Sequence, residues 1–204
     1  YGFTLQIYCD FSGYSDIAVG VALLLGFRLP DNFDAPYKSA TITEFWRRWH
    51  ISLSSWLRDY LYIPLGGNRR GRVRTYLNLF ITMLLGGLWH GVGMTFLAWG
   101  ALHGIALALH KVWLAVVPNA KVVGCDMKPI WRVCGIVLCF HIVAFGWLLF
   151  AADSMTTVED MLHSIAHSFV IADLRALVES HGAFFVVMAL GYLMHLMPRR
   201  FDGA

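Results

Sequence analysis

Leu77–Leu109 reads LNLFITMLLGGLWHGVGMTFLAWGALHGIALAL, 33 residues without a single Asp, Glu, Lys or Arg. A tract of that length and polarity belongs in lipid rather than in a soluble core. At its centre stands Leu85-Gly86-Gly87-Leu88-Trp89-His90-Gly91, a histidine among Gly86, Gly87, Gly91 and Gly93. Ionisable groups inside a bilayer are costly and mark a pathway or a reaction centre. Glycines at that density loosen a helix and let another group reach the backbone. His90 is therefore the first candidate for chemistry.

The rest of the composition agrees with a membrane protein. The chain is 204 residues long, 58% hydrophobic and only 14% charged, where a soluble domain carries about 25% charged residues. A net charge of +3 with no basic face excludes nucleic acid as a partner. Cys9, Cys125, Cys134 and Cys139 show neither a disulfide framework nor metal-ligand spacing, and no metal site is expected. The chain opens at Tyr1 and runs directly into an apolar stretch, with no basic region and cleavage site of a signal peptide. Residues 1–204 read as part of a longer protein.

Four membrane segments follow from hydropathy: about Phe3–Phe27, Tyr76–His110, Ile130–Phe150 and a shorter one from Ala183 to Met197. The first is unusual in holding Asp10 and Asp16, six residues apart on different faces of a helix. Carboxylates in a span need partners, and Arg28, Arg47 or Arg48 can supply them. Loop charge orients the spans. Arg28–Arg74 carries nine Lys or Arg, Lys111–Arg132 four, and the end carries Arg199 and Arg200; these loops face the cytoplasm. The loop from Ala151 to Gly182 has one, Arg175, against Asp153, Glu159, Asp160, Asp173 and Glu179, and faces out. That alternation closes only if Tyr76–His110 crosses an even number of times or re-enters. A broken hairpin turning near Trp89-His90-Gly91-Val92-Gly93 satisfies it, with irregular backbone sheltered by protein or a water-filled cavity.

Thr43–Tyr60 predicts an amphipathic helix capped by Thr41 or Thr43. Phe45, Trp49, Leu53, Trp56 and Tyr60 share one face, and Arg47, Arg48 and Arg58 lie elsewhere. Trp and Arg together place such a helix in the membrane interface, and Pro64-Leu65-Gly66-Gly67-Asn68 ends it. A second amphipathic stretch, Val158–Ile171, with Met161, Leu162, Ile165 and Phe169 on one side, lies on the outer surface. The expected fold is all-α: a polytopic multi-helix bundle with interfacial and re-entrant helices.

Two readings of His90 stand side by side. It is either a packing histidine bonded to a carbonyl or a general base that takes a hydroxyl proton during acyl transfer. Burial holds an imidazole neutral, as a base must be. His50 is either a headgroup-level anchor or a partner of His90. His103 follows His90 by 13 residues, no standard ligand spacing, with no Cys, Asp or Glu beside it. Packing is its simpler role, as for His110, His141, His163, His167, His181 and His195. The run Arg69-Arg70-Gly71-Arg72-Val73-Arg74 is a topology determinant or a contact for anionic headgroups or a phosphate-bearing donor. Nucleophile elbows, phosphate-cradling loops and Cys/His pairs at known spacing are all missing.

The ordered runs Tyr8-Cys9-Asp10-Phe11-Ser12-Gly13-Tyr14-Ser15-Asp16-Ile17-Ala18, Phe45-Trp46-Arg47-Arg48-Trp49-His50-Ile51-Ser52-Leu53-Ser54, Trp56-Leu57-Arg58-Asp59-Tyr60-Leu61-Tyr62-Ile63-Pro64-Leu65-Gly66-Gly67, Gly86-Gly87-Leu88-Trp89-His90-Gly91 and Trp99-Gly100-Ala101-Leu102-His103-Gly104 resemble the membrane-bound O-acyltransferases. The closer likeness is to their alginate O-acetyltransferase (AlgI-like) branch, in its C-terminal part, which implies that residues 1–204 are part of a single membrane domain whose N-terminal spans are missing. Trp147-Leu148-Leu149-Phe150-Ala151-Ala152 departs from the family run by holding Ala151 where Arg is usual. The resemblance implies a multi-pass enzyme of the cell inner membrane in which a cytosolic donor cavity meets an outward acceptor tunnel. It implies His90 and His50 as the catalytic histidines, and Trp89, Gly91, Trp46, Trp49, Arg47, Arg48 and His103 as channel residues. It implies a thioester donor, acetyl-CoA or an acyl-carrier thioester, with no bound cofactor. The acceptor is an exported polysaccharide such as alginate, reached directly or through periplasmic or extracellular acetyltransferase partner proteins, with membrane lipid around the spans. The alternatives are D-alanyl transfer to teichoic acid, as in another branch of the family, and a non-catalytic transport or scaffold subunit.

Overall fold

The computed structural model describes residues 1–117, 128–168 and 170–197; Cys125, Phe169, Arg199 and Arg200 lie outside the described residues. Among the described residues nine α-helices follow one another: α1 (Gly2–Leu24), α2 (Ile42–Phe45), α3 (Ile51–Leu57), α4 (Arg72–His90), α5 (Met94–Val116), α6 (Pro129–Ala151), α7 (Met155–His167), α8 (Ile171–Ser180) and α9 (Gly182–Leu196). A 3-10 turn at Pro36–Lys38 precedes α2, and a π-helical turn at Arg58–Tyr62 follows α3. Among the described residues the only β-type pairing is an isolated bridge between Phe33 and Trp49.

Length and composition let α1, α5 and α6, each of 23 residues, cross a membrane. At 1.5 Å per residue each reaches about 35 Å, enough for a hydrocarbon core of about 30 Å. The 15-residue α9 is apolar but shorter than a span, as its sequence implied. The expected break in the long tract is present: α4 ends at His90, Gly91–Gly93 are non-helical, and α5 starts at Met94. The two helices return antiparallel. Gly87 faces Phe96 and Gly100, Gly100 faces Met83 and Leu84, and Gly104 faces Phe80. Hydrogen at these glycines, in place of a side chain, lets the two backbones touch.

The single interfacial helix expected over Thr43–Tyr60 is not formed. Thr41 Oγ1 does accept the Glu44 N–H at 3.1 Å to start α2, but the helix stops at Phe45 and resumes only at Ile51. Its expected shared face also divides. Phe45 and Trp49 are buried, while Trp56 and Tyr60 are exposed and stack on each other at 5.4 Å. The physical reason is packing. Phe33, Tyr37, Phe45, Trp46 and Trp49 form one aromatic core with Trp99 of α5 and Trp147 of α6. Satisfying both aromatic contact sets requires the chain to turn at residues 46–50 rather than continue as a straight rod. Residues 42–49 therefore plug the bundle, while Ile51–Tyr60 keeps exposed aromatics at its surface.

Asp10 and Asp16 on α1 are exposed, and among the described residues neither takes part in an ion pair. Arg48, offered as their partner, binds Glu44 at 3.0 Å and Asp34 at 3.6 Å instead.

Candidate active site

His90 is the last residue of α4, and the chain leaves it through Gly91. The imidazole is half-buried in an aromatic frame. It stands edge-on to Trp99 at 5.3 Å, Phe150 at 5.0 Å and Trp89 at 4.8 Å between ring centroids, and Phe96 lies at 6.4 Å. Among the described residues no protein group hydrogen-bonds its nitrogens. Gly91 lies close against the Phe96 ring, where a Cβ would come within 2.6 Å of it. Trp89 is largely exposed beside it.

His50 sits at the break before α3 with φ 42° and ψ 59°, a left-handed conformation that costs energy for a residue other than glycine. Neighbouring hydrogen bonds hold it there. The Ile51 N–H donates to Asn32 O at 3.1 Å, and Asp34 N–H to Arg48 O at 3.0 Å. The Ser52 N–H and hydroxyl both donate to Asn32 Oδ1, at 3.1 and 2.7 Å. Phe11 packs edge-on against the His50 ring at 4.6 Å. Burial, and then the charge of His90, push His50 down to about 4. A chain of ring contacts joins the neighbouring Trp49 to His90: Trp49 packs on Trp147 at 4.8 Å, Trp147 on Phe150 at 5.7 Å, and Phe150 on His90 at 5.0 Å.

Folding disfavours the charged ring, so His50 stabilises the fold fully above its ordinary 6.5, and that contribution is lost as pH falls from 6.5 toward 4. In His50→Asn, which tolerates the left-handed turn, the fall of the thermal midpoint across that window becomes shallower. Midpoints measured from pH 7 to 4 check this, and identical acid limbs for the two proteins contradict it.

A groove of about 390 Å³ opens between α3, α4 and α5. Arg47, Arg58 and Lys111 bring positive charge to it. Ser54, Ser55, Thr43 and Thr82 offer hydroxyls, and Trp46, Leu57 and Met83 form its apolar part. Lys111 near the end of α5 and Asn68 just before α4 put its mouth at the end that loop charge assigns to the cytoplasm. Met83 lies seven residues before His90, so the groove stops about 10 Å short of that histidine along the helix.

The structure places the remaining expected residues in two groups. Trp46 and Arg47 line the groove. Arg48, Trp49 and His103 lie behind it. Arg48 is held by carboxylates, and Trp49 packs on Trp147 at 4.8 Å. His103 is fully buried between Phe45, Trp46 and Trp99 at ring distances of 6.3, 5.2 and 4.8 Å. Its Nε2 would lie 2.8 Å from a Cβ at Gly146, so that glycine makes room for it. Sequence reading missed Asn32, Glu44, Lys111 and Phe150. Asn32 and Glu44 come from flanking segments, and only three-dimensional contact shows their roles. Lys111 carried a signal, as the first cation after a long uncharged tract. No cluster of three or more potential metal ligands occurs among the described residues.

Comparison with known proteins bears directly on this arrangement. The family model described as MBOAT, membrane-bound O-acyltransferase family, matches residues 2–152. A probable alginate O-acetylase AlgI of Pseudomonas syringae pv. tomato is 55% identical over 154 residues, covering 75% of this chain and 28% of the relative. A peptidoglycan O-acetyltransferase of Helicobacter pylori is 41% identical over 160 residues, 78% of this chain and 29% of the relative. A teichoic acid D-alanyltransferase of Bacillus subtilis is 30% identical over 158 residues, 74% and 40% respectively. The chain spans under a third of the length of the two O-acetylating relatives. Its helical architecture, its apolar spans and the family match over residues 2–152 agree: this chain is a multi-pass membrane protein and belongs to the membrane-bound O-acyltransferase family.

Proposed function

We propose that the full-length protein transfers an acetyl group from a cytosolic thioester, acetyl-CoA or an acyl-carrier thioester, toward hydroxyls of an exported polysaccharide such as alginate. It acts in the cytoplasmic membrane, with periplasmic or extracellular acetyltransferase proteins as partners. The observation that carries this reading is the basic groove that leads from the cytoplasmic end toward His90. A donor suited to it has an anionic head for Arg47, Arg58 and Lys111 and a long thin arm that delivers a thioester past Trp46 and Met83. The uncharged aromatic frame of His90 suits a small acyl group better than a charged one.

The chemistry then balances with the residues at hand. Neutral His90 takes the proton of the acceptor hydroxyl, and the oxygen attacks the thioester carbonyl carbon. The new C–O bond forms as the C–S bond breaks, and the proton on His90 passes to the departing thiolate. His50 orients groups on the cytosolic side, and its neighbour Trp49 reaches the His90 frame through Trp147 and Phe150. D-alanyl transfer is the second reading, favoured by the 37% and 30% identity to teichoic acid D-alanyltransferases. The higher identity to proteins named for O-acetylation supports acetyl.

The test is label transfer from acetyl-CoA, or from an acetylated carrier protein, to a polysaccharide acceptor by the purified full-length protein. Acetylated product is expected; a product mass increased by alanyl, or no transfer from either donor, overturns the reading. Arg47→Glu and Lys111→Glu should each raise the donor KM about tenfold or more with little change in kcat, the loss implied by a charge-assisted hydrogen bond worth roughly 1.5–3 kcal/mol. Unchanged donor KM in both variants removes the groove from the donor's path.

A further inference from the structure

Glu44 is 2% exposed, a carboxylate inside an otherwise aromatic plug. Its Oε2 accepts the Ala40 N–H at 2.9 Å, and its Oε1 meets Arg48 Nη2 at 3.0 Å and Arg132 Nη2 at 3.9 Å. Each arginine has a second hold on the same region. Arg48 Nη1 donates to Asp34 O at 3.2 Å, and Arg132 Nη2 donates to Lys38 O at 3.4 Å. For stability alone this is an expensive arrangement, because a well-packed apolar side chain commonly does as well as a buried ion pair. A buried charge cluster does have one property that apolar packing lacks: it tolerates few alternative geometries.

The cluster's place in the chain shows what that geometry sets. Residues 40–49 touch α6 at both ends, with Phe45 and Trp46 between them packed on Trp99 and His103 of α5. Ala40 O presses on the helix at Gly135, where a Cβ would sit 2.6 Å away, and Trp49 packs on Trp147 further along. Arg132, one turn before Gly135, ties the near end of this segment to α6 through Glu44. Arg48, gripped by the same carboxylate, is two residues before His50, and its carbonyl accepts the Asp34 N–H. The left-handed turn at His50 persists only while both flanks are held. Glu44 holds one flank and Asn32 the other.

We propose that Glu44 is a positioning residue: its clamp on Arg48 and Arg132 uses α6 as a fixed rail to present His50 toward His90. The inference rests on the reading of His50 and His90 as the reaction centre. Glu44→Gln keeps the size and the Ala40 hydrogen bond but releases both arginines. Misplacing a catalytic group by about 1 Å costs on the order of 100-fold. The full-length Glu44→Gln protein should therefore lose about 10- to 100-fold in kcat, with donor and acceptor KM within about twofold. Because Glu44 acts through His50, Glu44→Gln combined with His50→Ala should be no slower than His50→Ala alone.

Wild-type kcat in Glu44→Gln, or a double variant whose loss is the product of the two single losses, overturns the proposal. If Glu44→Gln does not accumulate, Arg132→Gln carries the test, since it frees one side of the clamp and leaves the Glu44–Arg48 pair in place. A reduced kcat that is likewise non-additive with His50→Ala is expected there, and a wild-type kcat overturns it. His90→Ala assayed in parallel separates the two ideas. An active His90→Ala protein sinks the reaction-centre reading, whereas an inactive one beside a fully active Glu44→Gln protein sinks only the clamp.

Discussion

Replacing His90 by Ala or Gln in the full-length protein is expected to abolish acetylation of the exported polymer while leaving membrane insertion intact. General-base groups contribute about 10²- to 10⁴-fold to rate, the largest single-residue effect on rate expected here. The separation of activity from folding follows from where His90 sits. It ends α4, it is only half-buried, and its partners Trp99, Phe150 and Phe96 keep their mutual contacts without it, at 5.7 and 5.2 Å to Phe150. No hydrogen bond among the described residues depends on its ring. Gln fills much of the same space and can hydrogen-bond a hydroxyl, yet it does not take up a proton at neutral pH. Gln and Ala should therefore fail alike, and a Gln variant that keeps substantial activity points to an orienting role instead. Normal acetate content in the polymer from His90→Ala cells, with normal protein level, removes the histidine from the reaction.

The uncharged tract and the loop charges were sufficient to place the turn at Trp89–Gly93, because hydropathy and topology act on whole segments. The same reasoning failed over Thr43–Tyr60. A helical period of aromatics looks alike whether the aromatics face a membrane interface or a protein core, and only the partners Trp99 and Trp147, 50 and 98 residues after Trp49, decide between them. The site divides in the same way. His90 announced itself as a polar group in an apolar tract. His50 owes its position to a left-handed turn and to Asn32, which no local pattern encodes. Glu44 carried no signal at all as one acid beside Arg47 and Arg48, since its burial depends on Arg132 of α6.

The second large effect is expected at the glycines where α4 and α5 touch. A Cβ at Gly87 would lie 2.3 Å from Phe96 O and 3.1 Å from the Cα of Gly100, and a Cβ at Gly100 would lie 2.5 Å from Met83 O. These are backbone atoms of the facing helix, so the clash is relieved only by moving a whole helix. Alanine gains about 1 kcal/mol over glycine in helix propensity, but overpacking of this kind costs roughly 1–3 kcal/mol or more. The clash wins, and the hairpin splays. Since His90 lies three residues beyond Gly87, the displacement reaches the reaction centre, where about 1 Å costs on the order of 100-fold. Gly87→Ala and Gly100→Ala should therefore lower both the thermal midpoint in detergent and the turnover. Gly91→Ala should be milder, because the obstructing group is the Phe96 side chain rather than backbone of the facing helix. Gly93→Ala should be close to wild type, with ordinary contacts of 3.6 Å and a φ of −71° that alanine adopts freely. That order, severe at 87 and 100, intermediate at 91 and near neutral at 93, separates close backbone approach from a general need for flexibility around His90. If the four variants instead lose activity equally while keeping wild-type midpoints, chain flexibility rather than the glycine contact governs the hairpin.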